Sequence, residues 1–170
     1  LLVTLAINKD IFKNGFVLFL FALTIFSVKY YQFWGYPTFS YYQNFIRFVT
    51  KKIDRGQFDS FWSPKVLTNQ QVGEFIKHRT KSDDRILVWG NEPAVYVLSD
   101  RLPVGKYTVA YHVVDFKGQD QLIDNLKSNP AKFIVYYPNA PKFDQLDQFI
   151  AKFYFITEQF DSALIFEFRQ

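Results

Sequence analysis

Residues 85–107 read RILVWGNEPAVYVLSDRLPVGKY. Their first six form a short apolar run closed by Gly90, the pattern of a strand buried on both faces of a sheet. After Pro93, residues 94–99 have helical or irregular character, Asp100–Arg101 reads as a surface turn pair, and 105–114 (GKYTVAYHVV) reads as an ambiguous, extended segment. Open α/β sheets bind ligands just past the carboxyl ends of their strands. The exit from Trp89–Gly90 therefore makes Asn91, Glu92, Tyr96, Arg101, Lys106, Tyr107 and His112 the candidate binding set. Arg101 and Lys106 suit a phosphate or lipid head group, and tyrosines suit stacking on a sugar ring. The same residues have a plain structural reading, in which glycine ends a strand, proline starts a helical turn and Asp100–Arg101 stays at the surface.

Working outward, TNQQVGEFIKHRT (68–80) is an amphipathic helix with Val72, Phe75 and Ile76 inward, followed by a KSDD turn. QDQLIDNLKSN (119–129) is a second helix, stopped before Pro130. KFIVYY (132–137) is a second buried strand, stopped at Pro138, and FDQLDQFIAKF (143–153) is a third helix. FYFITEQFD and ALIFEFR read as two closing strands joined at Asp161–Ser162. Alternating strand and helix patterns imply an α/β fold, a small open sheet with flanking helices.

Upstream the chain changes character. LLVTLAI reads as the end of an apolar segment that began before Leu1, so the sequence is expected to start inside a membrane helix. NKDIFKN (8–14) reads as a short polar connection. GFVLFLFALTIFSVKYYQFW (15–34) then supplies the roughly 20 residues a bilayer requires, with Lys29 snorkelling to head groups. Tyr30, Tyr31, Phe33, Trp34 and Tyr36 form an aromatic belt at one end. A buried core helix is the competing reading of 15–34. Lys9 and Lys13 place the 8–14 loop in the cytoplasm by the positive-inside rule, so a multi-pass cell-membrane protein is expected, with residues after Trp34 extracytoplasmic. Residues 39–57 have helical apolar spacing at 42, 45, 46, 49 and 53 with a basic opposite face. That suits a helix lying on the membrane surface, and equally an ordinary helix leading into the domain. The expected organisation is 1–34 membrane segment, 35–66 juxtamembrane helix and linker (DSFWSP between Gly56 and Pro64 included), and 67–170 extracytoplasmic α/β domain.

Charge follows this division. Of the 170 residues, 20 are basic and 16 acidic, but residues 67–170 alone carry twelve basic and thirteen acidic groups. The positive excess sits in and beside the apolar front end, which suits anionic lipid. A nucleic-acid module would need a basic folded domain, so nucleic acid is excluded as a partner. With no cysteine, neither a disulfide framework nor a thiolate metal site exists, and two histidines argue against a histidine metal cluster. No GxGxxG, P-loop or GxSxG motif occurs. Glu92 and Asp100 have no defined separation as an acid–base pair, and Asp83–Asp84 reads as turn chemistry rather than a metal site.

The sequence of an Asp-Asp turn, ILVWG, Pro93, Tyr96, LSDRLPVGKY, LKSNPAKFIVYY and FYFITEQFDSALIFEFR resembles the C-terminal extracytoplasmic domain of prokaryotic membrane glycosyltransferases. The dolichyl-phosphate-mannose protein mannosyltransferase-like family, of GT-C architecture, is the nearest pattern. Asp84, Ile86, Val88, Trp89, Gly90, Pro93, Tyr96, Ser99, Arg101, Pro103, Tyr107, Pro130, Ile134 and Val135 carry the resemblance, which covers 68–170. The span before them fits that family's last membrane helix.

The resemblance implies a parent enzyme that moves a sugar from a polyprenyl-phosphate donor to a protein, lipid or glycan acceptor at the outer membrane face. Its catalytic acid would lie in an early extracytoplasmic loop not represented in this sequence, and a divalent metal there would stabilise the leaving phosphate. No catalytic residue and no cofactor is assigned within the present residues. Substrate contact is expected at Arg101, Lys106, Tyr107, Tyr96 and His112, with membrane lipid and the polyprenyl-linked sugar as partners. The rival reading is a non-catalytic, membrane-anchored binding or assembly module.

Overall fold

The computed structural model describes residues 2–32 and 35–169. Two compact units divide the chain, Leu1–Asp54 and Arg55–Gln170.

In the first unit, α1 runs unbroken over Leu2–Tyr30. The expected polar connection at 8–14 is therefore helical, a correction to the two-segment reading. No proline interrupts it, and opening a loop there would orphan backbone groups that the continuous helix satisfies, whereas Gly15 costs only about 1 kcal/mol. The window Lys13–Tyr30, 18 residues of mean hydropathy 1.3, is long and apolar enough to cross a membrane. It spans about 27 Å at the helical rise. Among the described residues it is the one such helix, and without a loop at 8–14 the orientation argument built on that loop loses its basis. The helix stops at Tyr30, short of the expected Trp34, and Gln32 takes φ 48°. Tyr30 stacks on Phe26 and meets Tyr31 edge-on, while the expected belt residues Phe33 and Trp34 lie outside the described residues.

α2 covers Thr38–Val49. It is shorter than the helical pattern over 39–57, because the chain turns out of the helix at Lys51, whose φ is 56°. Thr50 closes the last turn by donating its hydroxyl to the Ile46 carbonyl at 2.7 Å.

The second unit begins with α3, Arg55–Ser60, inside the stretch read as linker. Asp59 ties it down, accepting from Arg55 Nε at 2.8 Å and from Gln70 Nε2 at 3.0 Å. α4 (Lys65–Arg79) leads through a turn, in which the Lys81 N–H donates to Asp84 Oδ2, into β1 (Arg85–Trp89). α5 (Ala94–Ser99), β2 (Leu102–Pro103), α6 (Ala110–Asp115), α7 (Gln119–Ser128), β3 (Phe133–Tyr136), α8 (Asp144–Phe153), β4 (Tyr154–Phe160) and β5 (Ala163–Phe168) follow.

These strands make an open mixed sheet in the order β2-β1-β3-β5-β4. β2, β1 and β3 are parallel, and the β4–β5 hairpin adds antiparallel to β3. The hairpin turns at Asp161, with φ 49°, as its sequence suggests. Strand alternation sorts the core into two layers. Leu87, Trp89 and Ile134 face α6, α7 and α8. Ile86, Val88, Phe133 and Val135 face α4 and α5, where Val72 and Ile76 are fully buried. β1 is covered on both faces, which is why its sequence is continuously apolar.

The 105–114 segment departs from its extended reading. Only Leu102–Pro103 pair with β1, and residues 110–115 are helical. Proline suits the outer strand, since its missing N–H would otherwise leave a gap in the ladder. The Val104 N–H continues the pairing to the Ile86 carbonyl at 3.0 Å, and the Ala110 N–H starts α6 against the Gly90 carbonyl at 2.8 Å.

Candidate site at the carboxyl edge of the sheet

In the order β2-β1-β3, the chain leaves β1 for α5 on one face and leaves β3 for α8 on the other. The carboxyl ends of β1 and β3 are thus a topological switch point, where open α/β sheets form ligand crevices. Gly90, Asn91 and Glu92 leave β1 there, and Tyr137 leaves β3 with its N–H on the Trp89 carbonyl at 3.0 Å.

A polar group that the sequence reading did not assemble sits at this point. Lys65 Nζ donates to Glu92 Oε1 at 2.5 Å, Asn69 Nδ2 donates to Glu92 Oε2 at 3.2 Å, and the Tyr137 hydroxyl donates to Asn69 Oδ1 at 2.9 Å. Burial, and then the Glu92 carboxylate, push the Tyr137 phenol well above its ordinary value, so it stays a neutral donor. Lys65 and Asn69 share a face of α4 at i, i+4, but Glu92 and Tyr137 come from the exits of β1 and β3, and no local spacing relates them to that pair. The ring of Tyr137 also explains Gly90. A Cβ on that residue would lie 2.5 Å from Tyr137 Cδ2.

The five expected site residues separate into two groups. Arg101 is not a surface turn residue and does not reach the carboxyl edge. Pairing of Arg85 with Leu102 puts it off the amino end of the sheet, where it is 8 % exposed. Its guanidinium donates to Thr80 Oγ1, to the Thr80 carbonyl and to the Lys77 carbonyl at the end of α4. Asp100, with φ 55°, makes the left-handed turn that aims it there. Tyr96 is also internal. Its oxygen accepts the Val88 N–H at 2.8 Å, which points to the β2 side where the two-residue strand has already ended. Burial raises its phenol far above the ordinary range.

Lys106, Tyr107 and His112 do come together, on the surface beyond β2. The Lys106 ammonium lies 5.2 Å from the Tyr107 ring centroid. Tyr107 stacks on Phe116 at 5.5 Å and meets His112 edge-on at 6.4 Å. His112 in turn contacts Tyr111 at 4.2 Å and Phe116 at 5.7 Å. Tyr111 and Phe116, which the sequence reading did not single out, leave large exposed ring faces. The i, i+4 spacing of His112 and Phe116 is the signal that would have found the second of them, once 110–115 is read as helix. Beneath Tyr107 lies a cavity of about 10 Å³ bounded by Gly105, Gly118 and Leu122. That is room for one water and not for a sugar, so a ring would stack on the outer faces.

Among the described residues, no group of three or more His, Cys, Asp or Glu is placed to hold a metal ion. Compared with protein-family models, curated proteins and solved structures, the chain matches none.

Proposed function

We propose that this chain is the outer α/β domain of a membrane glycosyltransferase, attached to the membrane through α1, and that it contacts the head group of a polyprenyl-phosphate-linked sugar. One observation carries the reading: the exposed cluster in which Lys106 lies over Tyr107 and Tyr107 stacks with Phe116 beside His112. Aromatic faces match the C–H surface of a pyranose, and a lysine beside them matches a phosphate. The apolar helix Lys13–Tyr30 and the pattern from ILVWG to LPVGKY support it.

In the transfer, an acceptor oxygen attacks the anomeric carbon, the carbon–oxygen bond to phosphate breaks, and its electron pair leaves with the phosphate. The acceptor's proton passes to the carboxylate form of the acid in the parent enzyme's early extracytoplasmic loop. Tyr107 and Phe116 would hold the sugar, and Lys106 would offset charge on the phosphate. No step is assigned to a metal.

The test is transfer of a labelled sugar from polyprenyl-phosphate donor in membranes containing the full-length protein. Tyr107→Ala and Lys106→Ala are expected to raise KM about fivefold, the scale of one lost stacking or charge contact. Unchanged kinetics in both would remove the cluster from the substrate path. No transfer by wild type with any donor would favour the non-catalytic, membrane-anchored module.

A further inference from the structure

α2 is built inside out. Phe39, Tyr42, Phe45, Ile46 and Val49 fall within an arc of about 120° on the helix, and all five are between 52 and 82 % exposed. The one buried residue of α2 is polar, Asn44, at 6 %, with Phe48 half-buried a turn further on. A helix of a water-soluble domain turns its apolar stripe inward.

Charge identifies the occupant of that stripe. From Ile11 to Ile53 the chain has no Asp or Glu, while Arg47 lies on α2 and Lys51 and Lys52 follow it directly. Seven residues separate Thr38 from Tyr30, the end of the helix apolar enough to cross a membrane. That length keeps α2 close to the boundary where α1 ends. An apolar stripe beside Arg47, Lys51 and Lys52, with Asp54 the first acid after them, fits the head-group layer of a bilayer. A second protein surface would have to cover the stripe and also answer the local excess of positive charge.

We infer that α2 lies in the plane of an anionic membrane leaflet, with Phe39, Tyr42, Phe45, Ile46 and Val49 in the acyl boundary and Arg47, Lys51 and Lys52 among the head groups. This rests on the membrane part of the proposed function and is independent of sugar transfer.

The chain has no cysteine, so single-cysteine variants each carry one nitroxide label without background. The full chain is placed in vesicles of phosphatidylcholine and phosphatidylglycerol at three to one, with labels at Tyr42, Phe45, Val49, Gln43, Arg47 and, in α1, Phe21. Collisions are read with oxygen, which concentrates in lipid, and with a water-soluble nickel chelate. Expected are oxygen-rich positions at 42, 45 and 49 and nickel-rich ones at 43 and 47. Replacing Lys51 and Lys52 by Gln should lower the ratio of interface-bound to released α2 about fivefold per cation removed. A lipid-exposed label at Phe21 with nickel-rich labels at 42, 45 and 49 would overturn this inference alone. Labels there shielded from both reagents would also overturn it, and dipolar broadening between labelled chains would identify a second copy as the cover. A water-exposed Phe21 would remove the membrane reading altogether.

Discussion

Arg101 donates to both oxygens of Thr80, from Nε to the hydroxyl and from Nη2 to the carbonyl, each at 2.7 Å. The last turn of an α-helix leaves carbonyls without intrahelical donors, and this guanidinium satisfies them at the end of α4. The bond pins the exit of α5 to the end of α4 just before β2 starts.

Replacing Arg101 by alanine should therefore lower stability by about 2–3 kcal/mol, the scale of charged hydrogen bonds lost at a sheltered site. Lysine should restore less than half, because a single ammonium cannot span the two Thr80 oxygens. Urea unfolding measures both. Unchanged stability in Arg101→Ala would return the residue to the list of ligand contacts.

Tyr96→Phe keeps the packed ring and removes one oxygen. The Val88 N–H then has no acceptor on the β2 side. A cost of about 1–3 kcal/mol is expected, with faster hydrogen exchange at the Val88 amide than at its β1 neighbours. Uniform exchange across β1 would mean that another group takes over the bond.

Gly90→Ala drives a methyl into the Tyr137 ring, which is held by its own hydrogen bond to Asn69. Loss of about 1–3 kcal/mol is expected from the overpacking. The double variant Gly90→Ala/Tyr137→Ala should be less destabilised than the two single losses added, since the methyl then has space. Simple additivity would show that the two positions do not meet.

Asp59 carries a pH dependence. Hydrogen bonding from Arg55, and secondarily from Gln70, holds its carboxyl below the ordinary 3.8. A carboxyl with a depressed folded pKa contributes stability that is whole above the unfolded value and is lost as pH falls through the folded one. Wild type should therefore lose stability below pH 3.8 more steeply than Asp59→Asn, whose α3–α4 tie does not titrate. Parallel pH profiles for the two proteins would exclude Asp59 as the cause.

Much of the fold was readable in the chain. ILVW and FIVY are short, β-branched and bounded by Gly or Pro, and they form the central parallel pair β1 and β3. The helix over 119–129 and the closing hairpin follow their own periodicity and turn residues. The 105–114 segment was not readable, because its conformation depends on Gly90: the Ala110 N–H finds its acceptor there, twenty positions away. Residues 8–14 misled for a related reason. Polar side chains suggest a loop, but backbone continuity between two helical flanks decides.

The candidate site divides along the same line. Lys106, Tyr107 and His112 are near neighbours in sequence, and local turns were enough to gather them. Arg101 has the chemistry of a phosphate ligand, and only the register of β2 against β1 shows that it faces the carbonyls of α4 instead. Lys65, Asn69, Glu92 and Tyr137 meet across long separations, 68 residues for the Asn69–Tyr137 hydrogen bond. Composition and period determined the α/β class, the apolar front end and its positive surround, since burial patterns and charge are local properties of the chain. The tertiary structure decided which polar side chains are spent on one another, because a hydrogen bond depends on where the backbone returns.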